Sequence, residues 1–289
     1  MQLTKHHGLG NDFLICLTRE EPDGISELAS QMCDRRTGIG ADGLILGLPG
    51  SNGADLSMVL HNSDGSFAEM SGNGIRCLAQ AYAMANKTGP VSLEVDTAGG
   101  RRRVAIDGDG PKAQITVGMG AVGSGPGVHD EIGKDLRDSM VGTADLGNPH
   151  LVVVVDDHSA VDMADLGGRY EAYYPDGINI EWISVSDKDL SAINMVVWER
   201  GVGISQACGT GATAAAVRAH QWGLVDQEVQ VQMPGGVVQV LVAEEPILIG
   251  PAEYVGAIEI SVCAILSTTR LTTPPTAEVS ENLLATRQA

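Results

Sequence analysis

Ser71-Gly72-Asn73-Gly74 recurs in altered form as Cys208-Gly209-Thr210-Gly211, 137 residues further on (71 to 208). Each stretch leads into a run of small, helix-prone residues, 75–86 in the first case and 212–222 in the second. A small polar residue, a Gly-x-Gly loop and a helix start make an anion-binding arrangement. The first N–H groups of a helix have no partners, and the helix dipole favours negative charge there. A cysteine at such a point is expected to have a lowered pKa and a larger thiolate fraction.

The spacing is not confined to these two stretches. Gly10-Asn11 recurs as Gly147-Asn148 (10 to 147), Gly40-Ala41-Asp42 falls on Gly177-Ile178-Asn179 (40 to 177), and residues 58–62 fall on 195–199. The Gly99-Gly100 turn answers Gly235-Gly236 one residue out of step. Several matches in one order indicate an internal duplication. The first half reads as a turn-broken strand over 2–17 and a helix over 25–35 with Ile25, Leu28, Met32 and Cys33 on one face. Strands follow at 44–46, 56–61 and 113–117, with a hairpin from 92–96 to 102–106. The fold class is therefore α+β: two pseudo-symmetric domains with a mostly antiparallel sheet and one long helix each, and a ligand site in the cleft between them. The Gly-rich segment 118–127 sets the boundary, giving halves 1–118 and 119–266. Residues 267–289, rich in Thr, Ser, Pro and Glu, read as a disordered or loosely attached tail.

Bulk properties narrow the function. Apolar residues make up 43% of the 289, but aromatics only 3%, so the core must be aliphatic. A formal net charge of −19 argues against a nucleic-acid partner, which needs clustered Lys and Arg. The five cysteines are odd in number, widely spaced and free of CxxC pairs, a poor framework for disulfides or a metal site. No apolar signal segment opens the chain, and its longest aliphatic run, 151–155, is too short to span a bilayer. A cytoplasmic protein with no membrane partner is expected.

If Ser71 and Cys208 face one another across a ligand, each can hold a proton donor or acceptor on opposite sides of one carbon. That is the geometry for inverting a stereocentre by two-base proton transfer. Asn11, Asn62, Asn148 and Asn179 stand at repeat-related positions and suit the ammonium and carboxylate of an amino acid. Glu199-Arg200 adds one charge of each sign, and helix-start N–H groups suit an α-carboxylate and the charge that develops on proton loss. Each residue also has a plainer reading. Asn near Gly is commonly a turn residue, a cysteine before a helix a small buried one, Glu-Arg a solvated pair, and His150 a structural hydrogen-bonder. Recurrence in both halves favours the functional reading.

These residues resemble the diaminopimelate epimerase family. The resemblance rests on His7-Gly8-Leu9-Gly10-Asn11-Asp12-Phe13, on Gly38-Ile39-Gly40-Ala41-Asp42-Gly43, and on the run from Asn62 through Ser71-Gly72-Asn73-Gly74-Ile75-Arg76-Cys77. It continues in Gly147-Asn148-Pro149-His150, Glu199-Arg200-Gly201 and Ala207-Cys208-Gly209-Thr210-Gly211-Ala212. It implies a cofactor-independent isomerase, with neither pyridoxal phosphate nor metal, that interconverts LL- and meso-diaminopimelate for lysine and peptidoglycan synthesis. It also implies two barrel-like sheets, each around a central helix, and a homodimer. Carried over, Asn11, Asn62, Asn148, Asn179, Glu199 and Arg200 hold the substrate. Gly72-Asn73-Gly74 and Gly209-Thr210-Gly211 supply N–H groups to the reacting carboxylate. His150 and Glu199 lie near the reacting α-amino group, and Cys208 is one of two catalytic cysteines.

The second catalytic cysteine is replaced by Ser71, and Cys77 lies too far into the helix to substitute. A free thiol titrates near pH 8.5 and a serine hydroxyl several units higher, at about 1.4 kcal/mol per unit. Helix-dipole help of about 1 kcal/mol does not close that gap. Three readings account for the serine: a deliberate Cys-to-Ser exchange, a natural variant in which Ser71 donates or relays a proton while Cys208 alone is the base, or drift to a related amino-acid epimerase or dehydratase. A non-catalytic amino-acid-binding homologue is the alternative of a different class.

Overall fold

The computed structural model describes residues 1–260 except 138, 187 and 188. The expected tail at 267–289 and Cys263 lie outside the described residues. In the first half the elements are β1 (Gln2–Gly8), β2 (Asn11–Leu17), α1 (Ile25–Cys33), β3 (Gly43–Pro49), β4 (Leu56–Asn62), β5 (Phe67–Ala68), α2 (Gly72–Asn86), β6 (Val91–Thr97), β7 (Gly100–Ile106) and β8 (Lys112–Gly118). In the second they are α3 (Asp130–Asp135), β9 (Val141–Asp145), β10 (Pro149–Val154), α4 (Met163–Glu171), β11 (Asn179–Ser186), β12 (Asp189–Glu199), β13 (Gly203–Ser205), α5 (Gly209–Gln221), β14 (Glu228–Met233), β15 (Gly236–Leu241) and β16 (Ile247–Glu259).

The expected duplication appears in the pairing. β2 runs parallel to β3 as β10 does to β11, and β4 parallel to β6 as β12 does to β14. The remaining pairs of the main sheet path are antiparallel. β16 serves both halves: residues 247–249 pair with β15, 247–253 with β8, and 253–259 with β1. Through β16 the strands β1, β2, β3, β4, β6, β7 and β8 close into an eight-stranded ring.

α2 packs inside the ring and α5 against the second-half strands of the same continuous sheet, which explains their composition. A helix enclosed on all sides cannot carry a polar face. α5 has Ala at 212, 214, 215, 216 and 219, all fully buried, and alanine is also the best helix former. α2 is buried over 72–81 yet carries Arg76 and Gln80 there, two polar side chains that need internal partners.

Both helices begin three residues earlier than their apolar patterns indicate. Gly72-Asn73-Gly74 and Gly209-Thr210-Gly211 are first helical turns rather than loops, with Ser71 and Cys208 as N-caps. The caps have nearly the same backbone, φ −138° and ψ 121° at Ser71, φ −131° and ψ 118° at Cys208. Ser71 Oγ accepts the Gly74 N–H at 3.0 Å, and Cys208 Sγ the Gly211 N–H at 3.4 Å.

Candidate active site

The two helix starts meet head to head. A Cβ on Gly72 would lie 2.9 Å from Gly209 Cα, and one on Gly209 would lie 3.0 Å from Gly72 Cα. Glycine at both positions is thus a requirement of close backbone approach. Above the junction is a cavity of about 310 Å³ between the halves. The first half lines it with Asn11, Asn62, Ser71, Gly72 and Asn73, the second with Asn148, Asn179, Glu199, Arg200, Cys208, Gly209 and Thr210. Twelve positions singled out from sequence therefore share one wall, and Gly74, Gly211 and His150 do not reach it.

Those three need correction. The N–H groups of Gly74 and Gly211 are occupied by their own caps, so only the N–H groups of Gly72, Asn73, Gly209 and Thr210 remain for an anion. His150 is fully buried behind the wall, with Nδ1 2.7 Å from Glu181 Oε1 and Nε2 3.0 Å from Asn148 Oδ1. It supports Asn148 instead of meeting an amino group.

Most of the polar wall is braced. Asn11 Nδ2 donates to Asp42 at 2.8 Å, and Asn11 Oδ1 accepts from Asn73 Nδ2 at 3.0 Å. Asn73 Nδ2 also donates to Ala207 O at 2.8 Å, tying α2 to the residue before Cys208. Asn62 donates to Ser66 Oγ, and Asn179 to Pro149 O, each at 3.0 Å. Asn179 Oδ1 accepts the Arg200 N–H at 3.0 Å, and the Arg200 guanidinium reaches across the cleft to Glu69 at 3.5 Å. Burial works against the Asp12 carboxylate at the base of this network, but Arg35 and Lys5 hold its pKa below the usual range.

Three titratable groups set the field. Burial pushes Glu199 up to about 7, helped by the charges of Asp42 and Glu181 and opposed by a short hydrogen bond from Ser205. The Cys208 thiol is raised well above its ordinary value, by burial first and then by Glu199 and Glu181. This overturns the expected lowered pKa: the Thr210 and Gly211 hydrogen bonds favour the thiolate but do not outweigh the loss of water. The Arg76 guanidinium, fully enclosed, is drawn down to about 10 by burial. Its donors go to neutral acceptors: Gly72 O at 2.9 Å, Asn73 Oδ1 at 2.7 Å and Pro251 O at 3.2 Å.

Sequence reasoning missed Arg35, Glu69, Ser205 and Gln206 in the wall and Glu181 behind it. Glu181 had a signal, a lone carboxylate within the apolar run Ile180-Glu181-Trp182-Ile183. Asp42 had another, since it falls on Asn179 in the repeat. Arg35 and Glu69 had none beyond their neighbours.

Comparison with known proteins shows the family. The family model described as diaminopimelate epimerase matches residues 3–124 and 142–255. The chain belongs to the diaminopimelate epimerase family. It is thus an isomerase by descent. The diaminopimelate epimerase of Gloeothece citriformis is 38% identical over 277 residues, 88% of this chain and 97% of that one. That of Synechococcus elongatus is 38% identical over 284 residues, 90% and 99% of the two chains. Among solved structures, a hydroxyproline epimerase from Agrobacterium vitis superposes with a TM-score of 0.68 at 14% identity, covering 89% of this chain and 91% of that one. A phenazine biosynthesis protein of the PhzF family from Bacillus anthracis gives 0.67 at 15%, covering 90% and 99%. Identities this low establish the shared fold alone. No helix among the described residues is long and apolar enough to cross a membrane.

Proposed function

We propose that this isomerase epimerises LL-diaminopimelate to meso-diaminopimelate at the α-carbon, a step of lysine and peptidoglycan precursor synthesis. The observation that carries the reading is the head-to-head junction of α2 and α5, each capped on the cavity by a residue able to handle a proton, Ser71 and Cys208. The α-carboxylate sits on the free N–H groups of Gly72, Asn73, Gly209 and Thr210. Two converging positive dipole ends stabilise the charge that appears as the α-proton leaves. Asn11, Asn62, Asn148, Asn179 and Arg200 hold the distal amino-acid end, and Glu199 faces the ammonium group. Both helix starts are needed by one substrate, so the halves 1–118 and 119–266 act as a single site. The working form we assign is a cytoplasmic homodimer.

The two caps are unequal. Cys208, with its raised pKa, is a thiol and suits the donor role. It becomes a base only when the bound ammonium offsets Glu199 and Glu181. Ser71 is a donor or relay, because its alkoxide is out of reach near neutral pH. The serine also favours a second reading, a protein that binds the amino acid without turning it over. Proton exchange in deuterium oxide, run from each epimer separately and with Ser71→Cys in parallel, decides between them. Exchange from one epimer, with full inversion restored by Ser71→Cys, supports the isomerase with position 71 limiting. Tight binding with no exchange from either epimer sinks it.

A further inference from the structure

A chain of hydrogen bonds runs from the Glu181 carboxylate on β11 to the sulfur of Cys208. Glu181 Oε1 lies 2.7 Å from His150 Nδ1, and His150 Nε2 lies 3.0 Å from Asn148 Oδ1. Asn148 Nδ2 then donates to Thr210 Oγ1 at 3.3 Å, and Thr210 Oγ1 lies 3.4 Å from Cys208 Sγ. Glu181 and His150 are wholly buried, Thr210 nearly so, and Glu181 Oε2 has no partner in the protein.

The chemistry of the groups fixes the direction of the chain. Glu181 Oε1 and Asn148 Oδ1 both accept, so the chain runs outward with a proton on each His150 nitrogen, one given to the carboxylate and one to the amide oxygen. That turns the Asn148 amino group toward Thr210, whose oxygen accepts it. The Thr210 hydroxyl hydrogen is then left to point at the sulfur. We propose that Glu181 and His150 are positioning residues: they lock the Asn148 amide in one orientation, so that the Thr210 hydroxyl donates to Cys208 when it becomes a thiolate. This rests on the reading of Cys208 as a proton-transfer group. A directed donor has consequence here, since the sulfur otherwise lies in the field of the Glu199 and Glu181 carboxylates, with Gly211 N–H the other donor.

The repeat supplies an independent argument. At the same 137-residue spacing, His150 falls on Phe13 and Glu181 on Leu44, both buried apolar residues. Asn148 falls on Asn11 and Thr210 on Asn73, so the wall is duplicated and the buried support is not. Ser71 has no such chain behind it. The device belongs to the half that keeps the thiol.

The test is the rate of Cys208 alkylation by iodoacetamide at fixed pH, read by mass spectrometry on the Cys208 peptide so that the other cysteines do not contribute. It uses the full chain with no substrate, so its failure is separate from any failure to turn over diaminopimelate. Thr210→Val is expected to slow alkylation about tenfold, the scale of one hydrogen bond to a charged group, with Thr210→Ser near the parent rate. In a His150→Phe background, where the chain is cut, Thr210→Val is expected to change nothing further. Asn148→Leu cuts the chain one link later and must give the same result, which keeps the test open if His150→Phe does not fold. An equal slowing by Thr210→Val in the parent and in both cut backgrounds overturns the proposal.

Discussion

The two helix starts share a backbone and differ in what lies behind it. At α2 the cap is Ser71, the second helical residue Asn73 bonds Asn11, and the fifth, Arg76, sends a buried guanidinium back to Gly72 O at 2.9 Å. At α5 the cap is Cys208, the second residue Thr210 bonds Asn148, and the fifth, Thr213, sends a neutral hydroxyl back to Gly209 O at 2.9 Å. One position carries a cation and its repeat mate an alcohol. Cys208 also has two carboxylates in its field, Glu199 and Glu181. Duplication thus preserves the geometry that places a proton on either face of a carbon. The buried charge behind the caps has diverged: a cation, Arg76, stands on α2, and a carboxylate, Glu181, stands against Gly211 of α5. A reaction that takes a proton on one side and delivers it on the other uses that asymmetry.

The largest effect should come from making the caps alike. Ser71→Cys puts a thiol at both helix starts and is expected to raise epimerisation on the order of 100-fold, measured from either epimer, the scale of one acid/base group. An unchanged rate would mean that the serine already works as a full partner. Next is the junction. Gly72→Ala or Gly209→Ala drives a methyl into the facing helix start and should cost roughly 1–3 kcal/mol in denaturant unfolding, with activity lost together. If both variants keep parent stability, the halves do not depend on backbone contact there. Of similar or smaller size is Arg76→Met, which leaves Asn73 Oδ1 buried without its Arg76 donor while Gly72 O keeps its helical N–H, at about 1–3 kcal/mol. The matching change at α5, Thr213→Val, removes a single neutral hydrogen bond and should cost about 1 kcal/mol. Equal losses would erase the asymmetry.

The smallest effect is on pH dependence. Burial pushes Glu199 up from the ordinary 4.5 to about 7, so the folded state holds the proton more tightly than the unfolded chain. Its contribution to stability is therefore full below about pH 4.5 and lost as pH rises toward 7. Glu199→Gln should flatten the fall in melting temperature across that window. A profile parallel to the parent's would show that burial does not hold the proton on this carboxyl.

How much of this was legible follows from where each signal lies. The paired motifs at 71 and 208, the duplicated asparagines and the strand order are local patterns with a fixed spacing, and they located twelve wall residues. The helix starts were placed three residues late, because Gly-x-Gly lowers helix propensity and hides a first turn that the cap holds together. His150 was placed in the site, since its motif sits beside Asn148 and the two share a face at i and i+2, yet its ring lies beneath the Asn148 amide, hydrogen-bonded to it and fully buried.

The sequence alone determined the duplication, the α+β class, the family and the two residues that cap the helices, because these rest on residue identity and spacing along one chain. Only the tertiary structure decided that Gly72 and Gly209 touch, that Arg76 is enclosed without a carboxylate, and that the Cys208 thiol is raised rather than lowered. Each of those depends on how far water is excluded and which distant groups replace it. A residue's pKa is set by that balance between desolvation and partners, and residues 137 positions apart supply it only once the two halves have met.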